Sequence, residues 1–178
     1  MTLLQSPTPY DGATRQALVD ALNPLSIDVL ALDLIVWHAH RSCRGCGSMS
    51  IHKLLGKLAK DLDGHADRLG EYIMRLGGQP MGLPEDLTST RIAAYPPEIN
   101  NAHAHCREVF ARVQALSALV QAGINVSNGE GAADALDMLT AVNEGLGYWG
   151  GFIFNEVADT TPTDDHGPES EREPAQPA

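Results

Sequence analysis

HAHRSCRGCGSMSIHKLLGKLAKDLDGHADRLGEYIMRLGGQPMG, residues 38–82, holds both the periodicity that sets the fold and many of the side chains able to bind a metal. Apolar residues fall at Ile51, Leu54, Leu55, Leu58, Leu62, Ala66, Leu69 and Ile73. Spacings of three and four place them on one stripe of a helix, predicted over 50–77. LGGQPMGLP ends that helix, with Gly77 and Gly78 as its C-cap. Upstream, Leu18, Leu22, Leu25, Val29, Leu32, Ile35 and Val36 repeat the pattern and predict a first helix over 12–42. Pro24 is read as a kink in it or as the mark of a late start.

Further out, residues 80–95 form a long connection with one helical turn at 85–89. A third helix is predicted over 97–122, broken by GINVSNGEG, and a fourth over 131–157. No stretch alternates at period two. Residues 1–11 read as a flexible N-terminal segment. Residues 158–178 hold six acids, one arginine and four prolines, a composition that buries no core and reads as a disordered acidic tail. Four long helices with one long middle connection predict an all-α four-helix bundle over 12–157, with a crossover between helices two and three.

Of the 178 residues, 43% are hydrophobic and the net charge is −11. The only lysines, Lys53, Lys57 and Lys60, share one stretch. Binding a phosphate backbone requires clustered positive charge, so this balance argues against direct DNA binding and for surfaces that attract cations. No apolar run reaches the roughly 18 to 20 residues of a membrane span. The first residues, MTLLQSPTPYDGATR, lack the basic start and apolar core of a signal peptide, so a cytoplasmic protein is expected.

His40 falls at the end of helix one and His52 at the start of helix two, joined by a short loop, so both lie at one end of a helical hairpin. Asp67 and Glu71, spaced i, i+4, share a face of helix two. His52 and Asp67 are fifteen residues apart, roughly 22 Å along a helix. One copy of the helix cannot bring them to one ion. A twin packed antiparallel across a twofold axis can, and it builds two equal sites. Two imidazoles with two carboxylates suit iron or zinc better than magnesium or calcium.

The stretch 38–82, with AAYPPEINNAHAHCREV and AADALDMLTAVNEGLGYWGGFIFNE downstream, resembles the Dps proteins, mini-ferritins named as DNA-binding proteins from starved cells. The likeness covers 15–157. The family pattern has a histidine, a second twelve residues on, an acid four later, then an aspartate and a glutamate fifteen and nineteen after the second histidine. His40, His52, Asp67 and Glu71 occupy four of those positions. The resemblance implies a ferritin-like bundle assembling as a hollow dodecamer built from twofold dimers. It implies iron(II) oxidation between subunits, with peroxide or oxygen as oxidant, and ferric iron stored inside as protection against oxidative stress. It also places Asp134 and Asp137 at an acidic iron-entry pore.

The chain departs from the pattern as a divergent member. Gly56 stands where the acid after His52 is expected, and Arg41 where a tryptophan follows the first histidine. Asp63, one turn before Asp67 on the same face, is the candidate replacement ligand; a carboxylate restored at position 56 is expected to raise activity if its absence is the handicap, and to change nothing if another residue already fills the role. A metal-binding cage with zinc or a single iron and weakened oxidation is the alternative reading; a DNA-compacting shell is another. Cys43 and Cys46, with His38, form an alternative second metal or redox site, although His38 points about 200° away from His40 on a helix. His103 and His105 diverge on helix three in the same way. Tyr148 and Trp149 are expected in the core.

Overall fold

The computed structural model describes residues 3–45 and 47–158. Its helices are α1 (Gly12–Ser42), α2 (Ser48–Arg75), α3 (Ala102–Gly129) and α4 (Ala133–Ala158), with a 3-10 turn at Asp86–Ser89 in the crossover between α2 and α3. No strand occurs among the described residues. α1 packs along α2 and α3 along α4. The two hairpins close on a core whose layers include Leu22, Val29 and Val36 from α1 and Leu55, Leu62 and Leu69 from α2, all buried. α3 adds Val109, Leu116 and Val120, and α4 adds Leu139, Val142 and Leu146. The predicted stripes therefore face inward, with Ile35 and Leu54 half-buried at their flanks.

Local chemistry sets the ends. Asp11 caps α1 by accepting from the backbone N–H of Thr14 (2.8 Å), and α1 runs unbroken through Pro24, which marks no late start. α2 stops in a Schellman turn. Gly78 N–H donates to the Ile73 carbonyl, Gly77 N–H to that of Met74, and Gly77 takes the left-handed φ of +84° that favours glycine.

The crossover is anchored by buried polar groups. The fully buried Asp28 of α1 accepts from Thr90, from the Arg91 backbone (2.7 Å) and from the Arg91 guanidinium (2.6 Å). Arg112 of α3, buried as well, donates to the carbonyls of Ala93 and Ala94.

Three expectations change. α3 starts only at Ala102, after the Pro96-Pro97 pair, with Asn101 as N-cap. It then continues through most of GINVSNGEG to Gly129, because Gly123 is buried where a Cβ would meet Leu139 at 3.1 Å and Ser127 is buried too. Close packing on α4 overrides the weak helix propensity of that stretch. Residues 3–10, read as flexible, lie against the bundle: Leu4 N–H donates to Gly77 O (2.8 Å) and Tyr10 donates to Asp134. The acidic tail beyond Ala158 lies outside the described residues.

α3 is long and apolar enough, by length and composition, to cross a membrane. It also carries the buried polar residues His105 and Arg112 and packs its apolar side into the bundle.

Candidate metal centre

α1 ends and α2 begins across a five-residue link, which brings His40 and His52 face to face. Their rings stack with centroids 3.7 Å apart and planes 21° from parallel. His40 Nδ1 meets the carbonyl of His52 at 2.7 Å, and His52 Nδ1 meets the carbonyl of His40 at 2.8 Å. A carbonyl only accepts, so both Nδ1 atoms carry the proton. In the neutral rings both Nε2 atoms then hold the lone pair, which is the form that binds a metal. Each backbone carbonyl fixes the orientation of the ring that donates to it, as the outer partner of a metal-binding histidine would.

Two neighbours frame the pair. Trp37, one turn before His40, sets its indole edge-on to the His40 ring, with centroids 5.1 Å apart. The Arg41 guanidinium lies over that indole, 5.4 Å from its centroid. The position expected to carry an aromatic thus holds a cation engaged with an aromatic from the turn before. Gly56 lies directly beneath His40: a Cβ there would stand 2.9 Å from His40 Cε1 and 3.0 Å from Nδ1.

The carboxylates gather further down α2. Asp63, Asp67 and Glu71 line one groove of about 410 Å³ beside Leu30, Met74 and Met81. All three acids are exposed. Asp33 of α1 stands near them. Burial first, and the charge of Asp63 second, push its carboxyl up to about 6 against the pull of Arg41, and its Oδ1 is buried without a hydrogen-bond partner among the described residues. One chain thus presents nitrogens at one end of the hairpin and oxygens toward the other. Among the described residues no three His, Cys, Asp or Glu side chains lie close enough together to hold a metal.

The remaining expected site residues fare differently. Cys43 is a free thiol that donates to the Ala39 carbonyl (3.2 Å), and burial pushes it up to about 11, so it stays protonated. Cys46 lies outside the described residues. His38 turns away from His40 toward Tyr95 and His105, with ring centroids 5.7 and 6.4 Å off. His105 is fully buried, with Nδ1 2.6 Å from the Tyr95 hydroxyl. His38 and Cys43 belong to no metal-holding group among the described residues.

Asp134 is engaged in a clasp, accepting from Tyr10, from Tyr72 (2.9 Å) and from Arg75 (3.3 Å). Burial pushes its carboxyl up, but these hydrogen bonds, that of Ala135 N–H and the Arg75 charge hold it below the usual range. Asp137 is exposed one turn on. Tyr148, expected in the core, is 61% exposed, while Trp149 is half-buried and donates to Asp61. A groove of about 640 Å³ between α3 and α4 is lined by Phe110, Leu146, Gly150 and Phe154 among others and holds no titratable side chain.

Sequence reading missed three contributors. Trp37 carried the signal, at i−3 from His40 on a helix, and Asp33 carried a weaker one. The space above Gly56 carried none.

Comparison with known proteins agrees with this architecture. Residues 19–144 match the ferritin-like domain. The DNA protection during starvation protein of Agrobacterium fabrum is 27% identical over 133 residues, which is 74% of this chain and 82% of that protein. DpsC from Streptomyces coelicolor superposes with a TM-score of 0.84 at 20% identity, covering 89% of this chain and 94% of that one. A dodecameric thioferritin from Bacteroides fragilis superposes with a TM-score of 0.77 at 15% identity, covering 82% and 86%. The chain belongs to the ferritin-like family and, within it, to the Dps proteins.

Proposed function

We propose that this protein binds iron(II) at sites shared between two subunits, oxidises it and stores the ferric product in the cavity of a cytoplasmic homo-oligomer. Family membership supports the broader part, iron storage and protection against oxidative stress. One observation carries the finer part: the divided ligand set, with two tautomer-fixed imidazoles at one end of a hairpin and three unfastened carboxylates toward the other.

An antiparallel second copy closes the gap. Each step down one α2 is a step up its twin, so the register that lays His52 against Asp67 of the partner subunit also lays Gly56 against Asp63 of the partner subunit. The acid missing at position 56 then has a replacement from across the axis. Exposed Leu34, Met74 and Leu83, on the hairpin and the crossover beyond it, supply apolar surface for such a contact.

Iron is the substrate. His40 and His52 offer neutral nitrogens that suit iron(II), and Asp67, Glu71 and Asp63 of the neighbour offer the oxygens that iron(III), the harder ion, prefers. With peroxide, two iron(II) ions give one electron each to one hydrogen peroxide. Two water molecules complete the step, yielding two FeOOH units and four protons. Asp137, exposed at the start of α4, is assigned to iron entry; Asp134 braces the N-terminal segment beside it.

The second reading, a metal-binding cage with weakened oxidation, draws on Gly56, which removes one carboxylate from the same chain. The DNA-compacting reading is disfavoured by a charge of −11 on every subunit.

The test adds iron(II) without oxygen, then peroxide, and follows ferric absorbance. Asp67→Ala is expected to slow the rise at least tenfold; equal rates in variant and wild type would refute the shared site.

A further inference from the structure

We infer that Gly56 is a positioning residue: its missing side chain seats His40 against His52 and so creates the paired-imidazole end of the metal site. The inference rests on the site proposed above and reverses what the sequence suggests at this position, namely a lost ligand and nothing more.

No backbone requirement explains a glycine here. Gly56 lies inside α2, and the positive-φ glycines among the described residues are Gly45, Gly47, Gly77 and Gly131. A glycine within a helix is unfavourable compared with alanine, so the position carries a cost without a local return. The return is space. A Cβ would meet His40 Cε1 at 2.9 Å and Nδ1 at 3.0 Å, well inside ordinary carbon contact of roughly 3.5 Å.

The ring has little room to yield. His52 stacks on it at 3.7 Å, the carbonyl of His52 holds Nδ1 at 2.7 Å, and Trp37 abuts it edge-on. A side chain at position 56 must push this ring aside, against both the Nδ1 hydrogen bond and the stack. Without that hydrogen bond nothing fixes the proton on Nδ1, and the Nε2 lone pair loses its aim. An aspartate at 56 carries the same Cβ and presses on the same ring, so in this chain it gains a carboxylate at the expense of the seat that aims His40.

Zinc serves as a redox-inert probe in the full-length protein, with affinity measured by competition titration. Gly56→Ala and Gly56→Asp are each expected to weaken zinc binding by ten- to a hundredfold, while helix content in Gly56→Ala stays equal or rises. The decisive comparison is made in the His40→Ala background, where adding Gly56→Ala should change nothing, because it acts only through His40. In the metal-free protein, nitrogen NMR should find the His40 proton on Nδ1, and Gly56→Ala should abolish that fixed tautomer.

Unchanged zinc affinity in Gly56→Ala, a gain in Gly56→Asp, or an equal loss with and without His40 would each overturn the inference. These outcomes differ from failure of the shared site itself, which would show as zinc binding indifferent to both His40→Ala and Asp67→Ala and would overturn both.

Discussion

The two ends of the α1–α2 hairpin are built in opposite ways. At the histidine end the side chains hold one another: two rings stack, each ring donates to the other's backbone, and an indole closes the side. At the carboxylate end, Asp63, Asp67 and Glu71 stand exposed beside exposed Met74, and Asp33 keeps a buried oxygen without a partner among the described residues. Under the proposed function, these two halves on one hairpin belong to a site that a second chain completes. In that proposed site, nitrogens already held in place would lower the ordering cost of capturing an ion.

The contrast yields graded expectations. Loss of either end removes the same site, so His52→Ala and Asp67→Ala should each reduce peroxide-driven ferric absorbance at least tenfold. A variant retaining wild-type rate would break the pairing of the two ends. Leu58→Ala, at a buried position between them, should cost about 2–5 kcal/mol of stability in denaturant titration. It should lower activity only when the protein also loses its cooperative transition.

A smaller effect sharpens the account of the acid end. Asp33 has its folded value pushed up from 3.8 to about 6 by burial and Asp63. Between those values the folded chain binds a proton that the unfolded chain does not, so stability of the metal-free chain should fall as pH rises from about 4 to 6. Asp33→Asn should flatten that slope in denaturant titrations taken across the window. The smallest effect belongs to the clasp away from the site. Asp134 is held below its usual range, so its stabilisation is present above about 4 and disappears as pH falls through the lower folded value. The group is largely exposed, so Tyr72→Phe should cost no more than about 1 kcal/mol and leave iron oxidation unaltered.

Periodicity was enough to read the bundle, because Leu18 through Val36 and Ile51 through Ile73 each report one buried face. It misjudged the ends of α3. The glycines and asparagines of GINVSNGEG argue locally for a break, and only the approach of Leu139 to Gly123 shows why the helix persists. Spacing singled out His40, His52, Asp67 and Glu71, because a helix converts residue number into distance. The same logic was silent about Gly56, where the informative quantity is the volume taken by a ring from another helix. Asp134 was legible as an acid near the start of α4 but not as the meeting point of Tyr10 and Tyr72, which lie 124 and 62 residues away. Tyr148, expected in the core, lies outside it, because α4 buries Leu139, Val142 and Leu146 and leaves Tyr148 and Phe152 on its outer side.

Subunit mixing tests the division of the site most directly. Chains carrying His52→Ala and chains carrying Asp67→Ala are unfolded, combined, refolded together and assayed for ferric absorbance after peroxide. Each parent alone should be inactive, and the mixture should regain activity, because a mixed pair unites intact His52 of one chain with intact Asp67 of the other. A mixture that co-assembles yet stays as inactive as its parents would contradict a centre built from two chains.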